Sequence, residues 1–221
     1  MNAQTKPALR VANTVCIRDL GLSDYLPTWQ AMREFTQLRT AATPDEIWYL
    51  QHPPVFTLGL NGKPEHLLNP GDIPVVNIDR GGQVTFHGPG QLVVYLLLDL
   101  HRRQSGVKSL VQQMEQSVID LLADYQLSGE RIAGAPGIYV NGSKIAALGL
   151  RIRRGLSYHG LALNVDMELE PFRRINPCGY ANMPVTQLAD LIENDCPSMA
   201  QVQAKLHHHL LSQLGYNGAH E

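Results

Sequence analysis

Three groups of residues in this chain have the types and spacing to do chemistry. The first is Cys178, in Ile175-Asn176-Pro177-Cys178-Gly179-Tyr180. Proline and glycine on either side place this thiol in a tight, irregular loop rather than on a packed element. Cys16, by contrast, lies among apolar residues in Thr14-Val15-Cys16-Ile17, and Cys196 sits between Asp195 and Pro197. Arg173 and Arg174 precede Cys178 and favour a thiolate there, the form in which cysteine is a nucleophile. The bland alternative for a loop cysteine is a structural one, so the thiol needs a partner before it counts as reactive.

The chain has only five lysines, and one of them, Lys144, opens a strand-like run behind Asn141-Gly142-Ser143. Simple alternation puts Lys144 on one face with Ala146 and Leu148, and Ile145, Ala147 and Gly149 on the other. A lysine among small, apolar neighbours is partly desolvated and suited to act as a base. The alternative is a lysine that extends out from a strand end into water. The histidines to weigh beside it are His87 and His159.

The third group is a loop, Arg80-Gly81-Gly82-Gln83-Val84-Thr85-Phe86-His87-Gly88-Pro89-Gly90. Glycine lets main chain approach a ligand closely, and the arginine and imidazole beside it suit something small and polar or anionic. Ala146-Ala147-Leu148-Gly149 and Gly160-Leu161-Ala162-Leu163 are rich in small residues. Missing side-chain volume leaves room for an apolar ligand or for a tightly packed helix.

The elements that must position these groups follow from periodicity. Thr14 to Asp19, Glu46 to Leu50, Val55 to Leu60, Pro74 to Ile78 and Gln91 to Leu98 read as strands. Asp24 to Ala42 and Val107 to Leu127 carry apolar residues three or four apart and read as helices. Gly137 to Val140 and Lys144 to Ile152 flank the Asn-Gly pair as a hairpin, and Leu156 to Val165 is a further strand. Ser198 with Gln201 forms a capping box for a helix through Leu214, stopped at Gly215. His207, His208 and His209 are consecutive on that helix and point in three directions, so they share no metal. Strands broken by a few helices imply a single α+β domain with a mixed, largely antiparallel sheet flanked by helices.

Composition bounds the rest. The chain has 221 residues, 44% of them hydrophobic, and a net charge of −2, so bulk electrostatics favour neither nucleic acid nor an anionic membrane. No apolar run approaches the roughly 18 residues of a spanning helix, and Met1 to Arg10 has no apolar signal segment. Three cysteines make a poor disulfide framework and suit a reducing, cytoplasmic setting. Local basic density at Arg151, Arg153 and Arg154 suits a solvated face or an acidic protein partner.

Taken together, four ordered blocks resemble the lipoyl(octanoyl) transferase family: Arg80 to Gln91, Gly142-Ser143-Lys144-Ile145-Ala146, Tyr158-His159-Gly160-Leu161-Ala162-Leu163-Asn164, and Asn176-Pro177-Cys178-Gly179. The similarity spans about residues 14 to 195, with the helix at about 198–214 completing one acyltransferase domain over 1–221. The resemblance implies a fold similar to the catalytic domains of biotin and lipoate protein ligases. It implies transfer of an octanoyl group from octanoyl-acyl carrier protein, through a cysteine thioester, to a lysine of lipoyl domains (the E2 subunits of 2-oxoacid dehydrogenases and the glycine cleavage H protein). Cys178 matches the thioester cysteine and Lys144 its lysine partner. Arg80, Gly81, Gly82, Gln83, Val84, Thr85, Phe86 and His87 match one acyl-binding segment. Ala147, Leu148 and Gly149, with Gly160, Leu161 and Ala162, match two others. No cofactor, metal, nucleic acid or membrane is implied, and a monomer suffices. An ATP-dependent ligase of the same fold and a module that merely holds an acyl chain are the competing readings. ATP-independent acylation excludes the ligase, and a reactive Cys178 excludes the module.

Overall fold

The computed structural model describes residues 14–176, 183–193, 195–216 and 219–220. Cys178, with Pro177 and Gly179, therefore lies outside the described residues. Within them, β1 (Val15–Leu22), α1 (Tyr25–Leu38), β2 (Asp45–Gln51), β3 (Val55–Leu58), β4 (Val75–Asn77), β5 (Val84–His87) and β6 (Gln91–Leu97) form the first half. The second half comprises α2 (Val107–Asp124), β7 (Glu130–Ile132), β8 (Ala135–Val140), β9 (Ser143–Arg153), β10 (Leu156–Asn164), α3 (Leu188–Leu191), α4 (Met199–Leu214) and β11 (Ala219–His220).

Eight strands make the main sheet in the order β11-β1-β2-β6-β10-β9-β8-β7, and β4-β3-β5 make a small second sheet. Only β1 with β2, β1 with β11 and β3 with β4 pair in parallel, so the sheets are mixed and largely antiparallel. Period-2 alternation in β6 sends Leu92, Val94 and Leu96 to one core and Val93, Tyr95 and Leu97 to another. The first core receives Leu110, Met114, Val118 and Leu121 of α2 and Val202, Leu206 and Leu210 of α4. The second receives Met32 of α1, beside which the small sheet packs around Phe56, Phe86 and Phe172. No helix among the described residues is long and apolar enough to cross a membrane.

Two sequence expectations shift. The helix expected to run to Ala42 ends at Leu38, because Arg39 turns extended (ψ 146°). Its buried guanidinium donates to Leu97 O at 2.9 Å and to Asp45 Oδ1 at 2.6 Å. The glycine loop also contains a strand, β5, which pairs with β3 from Val84↔Leu58 to His87↔Val55.

The larger correction concerns Lys144. The β8–β9 register passes from Ile138↔Ala146 to Tyr139↔Lys144, so Ile145 is an extra residue on β9. Such a bulge breaks the alternation. Ile145 and Ala146 consequently both enter the core beneath α2 and α4. Lys144 emerges on the opposite face, opposite Tyr139, with its Nζ 5.2 Å from the centre of that ring. It shares this face with Ala147 and Gly149, not with Ala146 and Leu148.

Candidate functional site

On that face, between the main sheet and the small one, lies a cavity that opens to solvent. Arg80, Gly82, Gln83, Val84, Thr85 and His87 form one wall. Lys144, Ala146, Ala147, Leu148 and Gly149 of β9 and His159, Gly160, Leu161 and Ala162 of β10 form another, Ala146 and Leu148 lining it although both also pack in the core beneath α2 and α4. Tyr25, Gln91, Val93, Tyr95, Pro136, Asn164, Phe172 and Val185 complete it. Two residues of the matched segments stay out of the lining. Phe86 is turned by alternation into the aromatic core with Phe56 and Phe172. Gly81 instead ties the loop to β9, its N–H donating to Leu150 O at 2.9 Å.

Room for this cavity comes from paired small residues. Across the β9–β10 ladder Gly149 faces Gly160 and Ala147 faces Ala162. Arg80 uses part of the space, since a Cβ on Gly149 would stand 3.0 Å from Arg80 Cδ. Its buried guanidinium donates to Thr57 O at 2.8 Å, Thr57 Oγ1 at 2.9 Å and Gly81 O at 3.0 Å. A buried cation with several acceptors is fixed in place, and it disfavours further positive charge nearby.

Lys144 is 4% exposed, and its Nζ donates to Pro136 O at 3.0 Å. Its backbone is held as firmly: Lys144 N donates to Pro184 O at 2.8 Å, and Thr186 N donates to Lys144 O at 3.0 Å. The chain returning from the segment that contains Cys178 is thus bonded directly to the residue carrying this amine.

Three buried histidines, His52, His87 and His159, gather around Tyr95. His52 Nδ1 donates to Ser23 O at 2.6 Å, so its Nε2 accepts from the Tyr95 hydroxyl at 2.7 Å. Burial pushes His52 down to about 4 and His87 down to about 3, with His52 adding to the effect on His87. His159 is likewise lowered by burial, against the pull of Asp79. Burial also raises the hydroxyls of Tyr25 and Tyr95. All five groups are therefore neutral near pH 7, and they offer hydrogen bonds rather than charge.

Asp79 anchors the start of the glycine loop. Its Oδ1 accepts from Trp29 Nε1 at 2.9 Å and His159 Nε2 at 3.2 Å, and its Oδ2 accepts from the Tyr158 hydroxyl. Burial would raise this carboxyl, but the bonds from His159, Tyr158 and Trp29 win and hold it well below the usual range. Neighbours on a strand normally point to opposite faces, yet Tyr158 and His159 reach one carboxylate. His159 manages this with φ +61°, a left-handed conformation that costs a non-glycine residue about 1–3 kcal/mol. Neither Asp79, Tyr25 nor Tyr95 stands out in the sequence as a site residue. The one local signal was Asp79 immediately before Arg80.

Other sequence candidates are occupied elsewhere. Arg174 pairs with Glu170 at 2.6 Å. His207 Nδ1 meets the Tyr49 hydroxyl at 3.0 Å, and His209 bonds Asp124 at 2.9 Å. Cys16 and Cys196 are free thiols.

This frame is shared with known enzymes. A putative lipoate protein ligase from Thermoplasma acidophilum superposes with a TM-score of 0.73 at 14% identity, over 94% of this chain and 90% of that one. The biotin protein ligase of Aquifex aeolicus does so with a TM-score of 0.54 at 9% identity, over 91% of this chain and 68% of that one. The fold is that of lipoate and biotin protein ligase catalytic domains. At the sequence level, the profile of the lipoyl protein ligase A/B catalytic domain matches residues 24–211. A relative from Stutzerimonas stutzeri is 61% identical over 206 residues, covering 93% of each chain. One from Azotobacter vinelandii is 61% identical over 90% of this chain and 91% of its own. Both bear the name octanoyltransferase. The chain belongs to the lipoyl protein ligase A/B catalytic-domain family, on its octanoyltransferase branch.

Proposed function

We propose that this protein transfers an octanoyl group from octanoyl-acyl carrier protein, through a thioester on Cys178, to a specific lysine of lipoyl domains and the glycine cleavage H protein. The observation that carries this reading is the buried amine of Lys144 in the wall of a cavity also lined by glycine and alanine of β9 and β10 and by residues of the Arg80–His87 segment. The octanoyltransferases that match over nine-tenths of the chain support it. Support also comes from connectivity, because Pro184, bonded to Lys144 N, is six residues after Cys178.

The chemistry balances without nucleotide or metal. Lys144 takes the proton of Cys178, whose sulfur attacks the acyl carbon of the carrier thioester. The carbon–sulfur bond to the carrier breaks, and the carrier thiolate leaves with the proton that Lys144 held. In the second half, the acceptor's ε-amine attacks the acyl-Cys178 carbon and gives up a proton to Lys144. Cys178 departs as thiolate and recovers that proton, leaving an amide. Thioester to thioester to amide runs downhill, and positioned proton transfer contributes about 10²–10⁴ in rate.

Incubation with octanoyl-acyl carrier protein, followed by intact-protein mass spectrometry, tests the reading. The wild-type chain gains one octanoyl group and Cys178→Ser or Cys178→Ala gains none. A normal adduct on Cys178→Ala overturns it.

A further inference from the structure

We propose that His87 presents Nε2 as a fixed hydrogen-bond acceptor to an N–H group on one of the two partners that exchange the acyl chain, with the amides of Gln91 and Asn164 setting that polarity. This rests on the acyl-transfer reading above and deepens it.

Two backbone carbonyls, Thr186 O and Phe86 O, can only accept. Asn164 meets Thr186 O at 2.9 Å, so Nδ2 points there and Oδ1 is left for Gln91. Gln91 accordingly turns Nε2 to Asn164 Oδ1 at 2.9 Å, and the same Nε2 donates to Phe86 O at 3.3 Å. Its Oε1 must then face His87 Nδ1, 2.7 Å away. An oxygen there requires a hydrogen on Nδ1, and in the neutral ring Nε2 carries none. Gln91 is 2% and Asn164 4% exposed, so both amides are held by protein partners and shielded from bulk water. The Tyr25 ring, stacked on His87 at 5.8 Å and 17°, fixes the plane.

Nε2 bonds no described residue, although His87 lines the cavity. Because burial holds this ring neutral down to about pH 3, Nε2 remains an acceptor under any ordinary assay condition. An octanoyl chain and a thioester carbonyl have no hydrogen to donate, and a carbonyl oxygen would be repelled. Two reacting partners do supply an N–H near the sulfur. One is the amide of a carrier's pantetheine-type arm, two carbons from the thioester, and the other is the acceptor's ε-amine. The relay also ends on Thr186, whose own N–H bonds Lys144 O, so the acceptor and the amine sit on one rigid frame.

The test compares two small donors, S-octanoyl-N-acetylcysteamine and its oxygen-ester analogue S-octanoyl-2-acetoxyethanethiol, which lacks the N–H. For the wild-type chain we expect kcat/KM for acylation to favour the first about tenfold, the size of one hydrogen bond. His87→Ala should bring the ratio to about one. If the wild type treats both donors alike, and His87→Ala slows transfer from preformed octanoyl-enzyme to a lipoyl domain about tenfold, the amine is the source of the N–H. Equal donor rates together with unimpaired transfer in His87→Ala overturn the proposal. Should His87→Ala misfold, Gln91→Met removes the polarity lock in its place. That variant must reduce whichever discrimination the wild type shows, and its full retention overturns the relay. Absence of any octanoyl adduct on the wild-type chain instead overturns the reading beneath, and mass spectrometry tells the two failures apart.

Discussion

Gly149 on β9 and Gly160 on β10 face each other across the ladder, and they tolerate an added methyl group very differently. A Cβ on Gly160 would lie 2.1 Å from Val94 O, a backbone atom in the central strand. A Cβ on Gly149 would meet Arg80 Cδ at 3.0 Å and Gly81 O at 3.3 Å, contacts that shifts of a few tenths of an ångström relieve. Gly160→Ala should therefore cost about 2–3 kcal/mol, and Gly149→Ala less than about 1 kcal/mol. For a domain of this size the first corresponds to a fall in Tm on the order of 5–10 °C. Thermal unfolding by circular dichroism checks this, and equal losses for the two variants would contradict it.

Acid should destabilise the protein in two overlapping windows. His52 titrates near 6.5 in the unfolded chain and near 4 in the folded one, so its neutral form is favoured by folding. That contribution, roughly 3 kcal/mol, is present above pH 6.5 and is lost as pH falls from 6.5 toward 4. His87 acts in the same direction and down to lower pH. Asp79, held below its usual range, contributes stability above about pH 4 that disappears only as pH falls further. Urea unfolding from pH 7 to pH 4 should show a declining midpoint for the wild type and a shallower decline for His52→Gln. A flat wild-type profile over that range would be inconsistent with buried neutral histidines.

Local chemistry was legible where it alone decides structure. Asn141 and Gly142 have φ of 49° and 76°, the paired positive values that a two-residue Asn-Gly hairpin requires. Ser198, Gln201 and Gly215 likewise cap α4 as their types dictate. What stayed hidden depends on pairing between distant segments. Alternation along β9 misplaces Lys144, because the bulge at Ile145 is set by register against β8 and not by the β9 sequence itself. Asp79 meets Trp29 and His159, 50 and 80 positions away, so no window of sequence could show the cluster. Nor does any residue type announce that His159 will adopt a left-handed conformation inside a strand.

The capping box of α4 offers a stability change remote from the cavity. Ser198 Oγ accepts from Gln201 N, while Gln201 Oε1 accepts from Ser198 N at 2.9 Å. Ser198→Ala removes one partner of an exposed helix terminus and should cost about 1 kcal/mol. Tm should fall by about 2–4 °C with octanoyl transfer unchanged at 25 °C. A drop in transfer rate without a drop in Tm would mean that α4 does more than cover the core.

Replacing Lys144 by arginine separates charge from proton transfer. Pro136 O would still receive a donor beside the Tyr139 ring, so folding should be largely retained. Guanidinium, however, does not release its proton in proteins, and it cannot carry one from Cys178 to a leaving thiol. The space is also tight: a Cβ on Gly137 would come within 3.0 Å of Lys144 Cε, so a planar fork does not fit beside β8 unchanged. Lys144→Arg should lower the single-turnover rate of acylation by about 10²–10⁴, with little change in the concentration of octanoyl donor needed for half-saturation. If Lys144→Arg kept more than about a tenth of the wild-type rate, Lys144 would be acting through its charge alone. The proton would then have to travel by another group lining the cavity.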